Sequence, residues 1–308
     1  MLLDGDVRST MAFRETAAMI KQTAAWREAM ERRVGSKMAD SDQLAPARDG
    51  LVGRLSGPWA AEKLHYVEHY QAIFAKGMKG KWGSIGYVDM MAGPGRCIDR
   101  QTREEYDGSP VRSLSSPFTN RAFVELDPIC AEALRARVDD PSSVIEGNCN
   151  DPAVIAAVRG RIPANALTLV FIDNLGLNCT FDTIAALTVN RRMDLMLTVM
   201  TNDFQRNARS GRVEDDARFT AFFGSDEWKT VVAGATRTSD VAADLLDHYG
   251  ERLKTLNYPF ICPARRVMKN SKQSGLYRLL LATRHERGEE FFRKIEKISL
   301  QGQREMWD

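Results

Sequence analysis

The stretch Tyr87-Val88-Asp89-Met90-Met91-Ala92-Gly93-Pro94-Gly95-Arg96 decides the fold. An apolar, strand-like run from Ser84 ends in an acid and passes straight into a turn of small residues. Glycines in such a turn supply torsions closed to other residues and let the backbone approach a ligand. A dinucleotide fingerprint starting at Gly93 requires glycine or alanine at its sixth position, where Ile98 stands, so no pyrophosphate cradle is expected. An acid ending a buried strand suits an adenosyl amino acid laid across the C-terminal edge of a parallel sheet, where it accepts from the ammonium group.

Outward from this turn, short runs rich in Val, Ile and Leu recur at Arg121–Leu126, Ser143–Glu146, Leu167–Ile172 and Asp194–Val199. Helical patterns alternate with them at Ser109–Ser115, Ile129–Val138, Pro152–Val158, Phe181–Leu187 and Ala217–Phe223. That alternation predicts βαβ units and a parallel sheet. Arg265–Lys269 and Leu276–Thr283, separated by a polar turn, predict an antiparallel hairpin, and Gly288–Ile298 a final helix. The expected architecture is α/β: a Rossmann-like fold of the S-adenosylmethionine (SAM) methyltransferase type, its mostly parallel seven-stranded sheet closed by a C-terminal antiparallel hairpin.

Upstream, Ser56-Gly57-Pro58 opens a helix over Trp59–Lys76 whose apolar stripe is Leu64, Val67, Tyr70 and Phe74. Phe13, Ala17, Ile20 and Ala24 repeat at helical spacing, and Ser36–Gly50 is polar and small. Residues 1–50 are therefore expected to be a helical extension and linker, and residues 51–308 the Rossmann-like domain.

Candidate ligand residues follow from strand ends. Glu125, 36 residues after Asp89, can accept from two ribose hydroxyls, with Asp127 as the neighbouring choice. The charged insertion Cys97–Gly108 accounts for this long interval and is expected to lie over the site as a lid or substrate loop. Ser109 is expected to cap the helix after it, with Pro110 at the first helical position. Asn148 can accept from an adenine amino group through its side-chain carbonyl, and Asp151 suits a helix cap. Asp173, ending the Phe171-Ile172-Asp173 run, is the second acid at the catalytic edge, with Asn174 beside it; the two are the candidate catalytic residues, Asp173 also touching the cofactor. Asp89, Ala92, Gly93, Gly95, Glu125, Leu126, Asn148 and Cys149 complete the candidate SAM site. Methyl transfer is an in-line displacement governed by positioning, so a strong base is not required.

The chain resembles the three-Cys-motif partner family, whose members look like methyltransferases. The likeness runs from Gly57 onward: Trp59 with Lys63-Leu64, Asp89 with Ala92-Gly93-Pro94-Gly95-Arg96, Gly108-Ser109-Pro110, Glu125 with Asp127, Phe171-Ile172-Asp173 with Gly176, Phe222-Phe223-Gly224 with Trp228, and Tyr277–His285. The resemblance implies a partner protein bearing a three-Cys motif of radical-SAM kind. Tyr106-Asp107-Gly108-Ser109-Pro110 is also similar to ribosomal-RNA adenine-N6 methyltransferases, a likeness that implies Lys63 at the cofactor carboxylate. Base-amine methyltransferases carry Asp-Pro-Pro-Tyr where this chain has Asp173-Asn174-Leu175-Gly176, a departure that favours a non-catalytic partner role as the rival reading.

Composition narrows the setting. A net charge of +2 gives no whole-chain pull toward nucleic acid or anionic membrane. Arg206, Arg209 and Arg212, and Arg265, Arg266, Lys269 and Lys272, leave a local basic face for a nucleic-acid or nucleotide-like substrate. Five isolated cysteines support neither a disulfide framework nor a zinc ribbon, and His65 with His69 lacks a third metal ligand. Early acids exclude a signal or transit peptide, and the longest apolar runs are too short to span a bilayer. A cytoplasmic protein without membrane contact is expected.

Overall fold

The computed structural model describes residues 43–174, 176–237, 240–269 and 275–297. The expected N-terminal helix and the turn at 270–274 lie outside the described residues.

The described chain opens with β1 (Leu44–Pro46) and β2 (Val52–Ser56), then α1 (Pro58–Met78) and β3 (Ile85–Asp89). β4 (Arg96–Asp99), β5 (Glu105–Asp107) and the short α2 (Ser109–Arg112) follow. Four strand–helix alternations come next: β6 (Asn120–Glu125) with α3 (Pro128–Arg135), β7 (Val144–Glu146) with α4 (Pro152–Arg161), β8 (Leu167–Ile172) with α5 (Phe181–Thr188), and β9 (Arg192–Val199) with α6 (Thr201–Asn207). Then α7 (Val213–Phe223), α8 (Trp228–Gly234) and α9 (Val241–Lys254) lead to β10 (Phe260–Pro263), β11 (Met268–Lys269), β12 (Gly275–Thr283) and α10 (Glu286–Ile295).

The main sheet runs β10-β12-β9-β8-β3-β6-β7. Five strands are parallel, while β12 is antiparallel to both β9 and β10. Strand alternation assigns the two faces. Ile85, Tyr87, Leu169 and Phe171 pack under Val67, Tyr70 and Phe74 of α1, Leu134 of α3 and Phe292 of α10. Val88, Val170 and Ile172 face Val158 of α4, Ile184 and Leu187 of α5, and Phe219, Phe222 and Tyr249 beyond. The α1 stripe read from the sequence, Leu64, Val67, Tyr70 and Phe74, is buried.

Two expectations are corrected. The partner of β12 is chiefly Phe260–Pro263 rather than the expected Arg265–Lys269. The chain leaves the ladder after Ala264, whose N–H still donates to the Leu279 carbonyl, and re-pairs only at Met268–Lys269. A four-residue run ending in proline carries too little pattern to stand out.

The second correction concerns a small sheet, β1-β2-β4-β5, that the sequence pattern did not announce. Leu44–Pro46 falls in the stretch expected as a linker, and Cys97–Gly108, expected as a lid or substrate loop, holds most of β4 and all of β5. β1 instead pairs antiparallel with β2, β2 parallel with β4, and β4 antiparallel with β5. Leu44 and Val52 pack against Cys130 and Ala133 of α3, and Ala45 and Ala47 against Ile98. Each strand is short, and β2, β4 and β5 are half polar, so none stands without the others. Among the described residues no helix is long and apolar enough to cross a membrane.

Candidate active site

β3 lies between β6 and β8, so their C-terminal ends bring Asp89, Glu125 and Asp173 to one edge of the sheet. The turn after Asp89 is tied to both neighbours: the Met90 N–H donates to the Phe171 carbonyl at 3.0 Å and the Ala92 N–H to the Val124 carbonyl at 2.9 Å. Gly93 and Gly95 hold φ of +67° and +79°. A Cβ on Gly95 would come within 2.8 Å of Leu134 and 2.9 Å of Val111, so glycine there answers both torsion and close packing.

Asp89 is fully buried and forms no ion pair among the described residues. Its carboxylate accepts from the Tyr87 hydroxyl at 3.2 Å and the Met91 N–H at 3.3 Å. Burial pushes this carboxyl up to about 7, opposed by the Ser109 hydroxyl facing it and reinforced by the charge of Asp173. Ser109 is thereby reassigned: α2 has Gly108 at its cap position and no side-chain cap bond, because the hydroxyl turns toward Asp89.

Glu125 closes the glycine turn. Its carboxylate accepts from the Gly93 N–H at 2.6 Å and the Asp127 N–H at 2.9 Å. Burial raises its carboxyl above the ordinary range. Asp127 is consumed as the cap of α3, accepting from the Ile129 and Cys130 N–H groups, which leaves Glu125 as the candidate of the two. Leu126 between them is 66% exposed, an apolar side chain presented to solvent at the same edge.

Beyond β7, the Asn148 side-chain oxygen accepts from the Asn150 N–H at 2.9 Å, and Asp151 caps α4 by accepting from Ala153. Cys149 is buried against the Cys179 thiol, a contact that lowers Cys149 and raises Cys179. Asn150 joins this loop to the one after β8, donating to the Asn178 carbonyl and accepting from the Thr180 N–H.

Asp173 forms an ion pair with Lys63 of α1, and its other oxygen, Oδ1, is buried without a hydrogen-bond partner among the described residues. Lys63 Nζ also lies 5.7 Å from the centroid of Tyr277, whose hydroxyl donates to the Trp59 carbonyl. Asn174 has a different task. Its amide donates to the Cys179 carbonyl and accepts from the Cys179 N–H, bracing the 174–179 turn.

Three of the basic residues after β9 are engaged within the chain. Arg209 donates to the Val232 and Ala235 carbonyls, Arg212 pairs with Asp215, and Arg266 pairs with Glu62. Two surface hollows of about 420 and 480 Å³ lie elsewhere, around Arg121 and Arg161 and around Arg209 and Trp228. Neither is lined by the glycine turn or Asp173, so the chemistry of the sheet edge locates the site.

Strand order and strand-end acids together define a Rossmann-like fold of the SAM-methyltransferase type. No family model and no curated protein matches the chain. It is similar to several solved structures. One is cofactor-bound Rv0187 from MTB, at 12% identity and TM-score 0.39, covering 73% of this chain and 81% of that one. Another is protein LPL1258 from Legionella pneumophila, at 9% identity and TM-score 0.46, covering 77% and 90%. A third is an O-methyltransferase from Bacillus cereus in complex with SAH, at 10% identity and TM-score 0.39, covering 86% and 100%.

Proposed function

We propose that the protein is a SAM-dependent methyltransferase of the three-Cys-motif partner kind. Asp89 carries this reading. A fully buried carboxyl with no cation beside it, at the edge of a parallel sheet, fits a ligand that brings its own ammonium group. The surroundings fit the rest of such a ligand. Glu125 offers carboxylate oxygens to a ribose diol, exposed Leu126 offers an apolar surface to an adenine ring, and the Asn148 side-chain oxygen, which already accepts from the Asn150 N–H, offers its second lone pair to the adenine amino group. Bound SAM supplies an electrophilic methyl group. Asp173 Oδ1 accepts from an incoming N–H or O–H and orients it, while Lys63 holds the carboxylate in place.

The leading acceptor is a nucleic acid or nucleotide-like molecule, met by the 201–212 segment and the basic residues around Arg265. A non-catalytic partner of a three-Cys-motif protein is the second reading. It is favoured by Asn174, whose amide is spent inside its own turn where a base-amine methyltransferase aims its polar groups outward.

Calorimetric titration with SAM and S-adenosylhomocysteine tests the cofactor. Micromolar binding, followed by methyl transfer from labelled SAM to RNA, DNA or small-molecule pools, is the expected result. Well-folded protein that binds neither ligand overturns the enzyme reading in favour of the partner role.

A further inference from the structure

We propose that Arg54, on the small sheet, receives the carboxylate of the cofactor's amino-acid end. This rests on the SAM reading above and gives a counterpart to the ligand's carboxylate, for which the resemblance implies Lys63, a residue that pairs instead with Asp173.

Parallel pairing of β2 with β4 sets Arg54 opposite Cys97, two residues past Gly95. The guanidinium stands over the glycine turn: a Cβ built on Gly93 would meet only Arg54 Nε, at 3.8 Å. Among the described residues the Arg54 guanidinium forms no hydrogen bond or ion pair, its carbonyl alone accepting from the Ser56 hydroxyl, although its charge is felt by Glu125 and Cys97. Glu125 does not neutralise it by contact, because its oxygens accept from Gly93 and Asp127.

Four other cations near the turn are engaged. Lys63 pairs with Asp173, Arg96 with Asp107, Arg112 with Glu68 and Arg137 with Asp49. The same Arg137 donates to both the Val52 and Pro94 carbonyls at 2.6 Å, clamping β2 to the glycine turn. Arg54 is thus held beside the turn by backbone pairing and a clamp rather than by a counter-ion. A zwitterionic amino acid needs an acid and a base near one another, and Asp89 opens the same turn that the Arg54 guanidinium approaches at Gly93. A planar guanidinium suits a carboxylate, which it can grip through two parallel N–H donors.

The test compares two nucleosides on the full chain. S-Adenosylhomocysteine carries the amino-acid end and 5′-methylthioadenosine lacks it. Calorimetry is expected to show that Arg54→Ala weakens S-adenosylhomocysteine binding by about 10- to 100-fold, the range for charge-assisted hydrogen bonds. Affinity for 5′-methylthioadenosine should be unchanged, with Arg54→Lys intermediate on the first ligand. An Arg54→Ala variant that binds S-adenosylhomocysteine like the wild type, or loses both ligands equally, overturns the assignment. A wild type that binds neither nucleoside overturns the cofactor reading itself, a different failure.

Discussion

Lys63 of α1 and Asp173 at the end of β8 form an ion pair across 110 residues of sequence. The side chains are 7% and 19% exposed, so the pair is largely desolvated. Removing one partner leaves a charge with little water to receive it. Lys63→Met or Asp173→Asn alone is expected to cost about 3 kcal/mol in urea denaturation. The double variant should regain a large part of that loss. Additive losses would show that the two residues act independently.

Asp89 makes stability and binding respond to pH in opposite directions. Its carboxyl stands at about 7, against an ordinary 3.8, so the folded state favours the protonated form. That contribution is complete below 3.8 and is lost as pH rises to about 7. Asp194, half-buried on β9 and pushed up to about 6 by desolvation, acts with the same sign. The protein is therefore expected to be more stable at pH 5 than at pH 8. Asp89→Asn should flatten the difference and raise Tm at pH 8, with an upper bound of about 4 kcal/mol. Binding of a ligand ammonium needs the charged carboxylate, so affinity for S-adenosylhomocysteine should fall about tenfold per unit as pH drops below 7. Equal affinity at pH 6 and pH 8 would remove Asp89 from the site.

Glu125 has a double task, bracing Gly93 and facing the ligand. Glu125→Ala frees the Gly93 and Asp127 N–H groups and is expected to weaken both S-adenosylhomocysteine and 5′-methylthioadenosine, because both carry ribose. Combining it with Asp89→Ala should abolish detectable SAM binding. Retained micromolar binding in the double variant would place the cofactor elsewhere.

Gly95 is a packing site as much as a turn. Gly95→Ala forces a methyl group toward Leu134 and Val111 at a positive φ, and a loss of about 1–3 kcal/mol is expected. Gly50 has positive φ but nothing within 4 Å, so Gly50→Ala should cost less. Denaturant midpoints of the two variants check the ordering.

The parallel part of the main sheet was legible because its strands are largely apolar on both faces, and β10 was not. Leu167–Ile172 carries five consecutive buried residues and was placed to the residue. Asp89, Glu125 and Asp173 were legible because each ends such a run. The small sheet was not: Val52–Ser56, Arg96–Asp99 and Glu105–Asp107 are half polar, and β2 meets β4 only through a pairing about 43 residues distant in sequence. Arg54 was missed with it. Ser109 was misassigned because a serine before proline carries a cap signal, and only the fold shows Asp89 beside it.

β12 lies between β9 and β10, although β10 precedes it along the chain. During synthesis, β9 therefore presents an open edge of unpaired backbone until residues 275–283 have left the ribosome, and β10 has no partner to wait against. The same late strand delivers Tyr277 to the Lys63 side chain and the Trp59 carbonyl. The order of manufacture thus makes the edge that carries the candidate site one of the last parts of the molecule to close, and the interval before β12 docks is when the chain is most open to pairing with a neighbour.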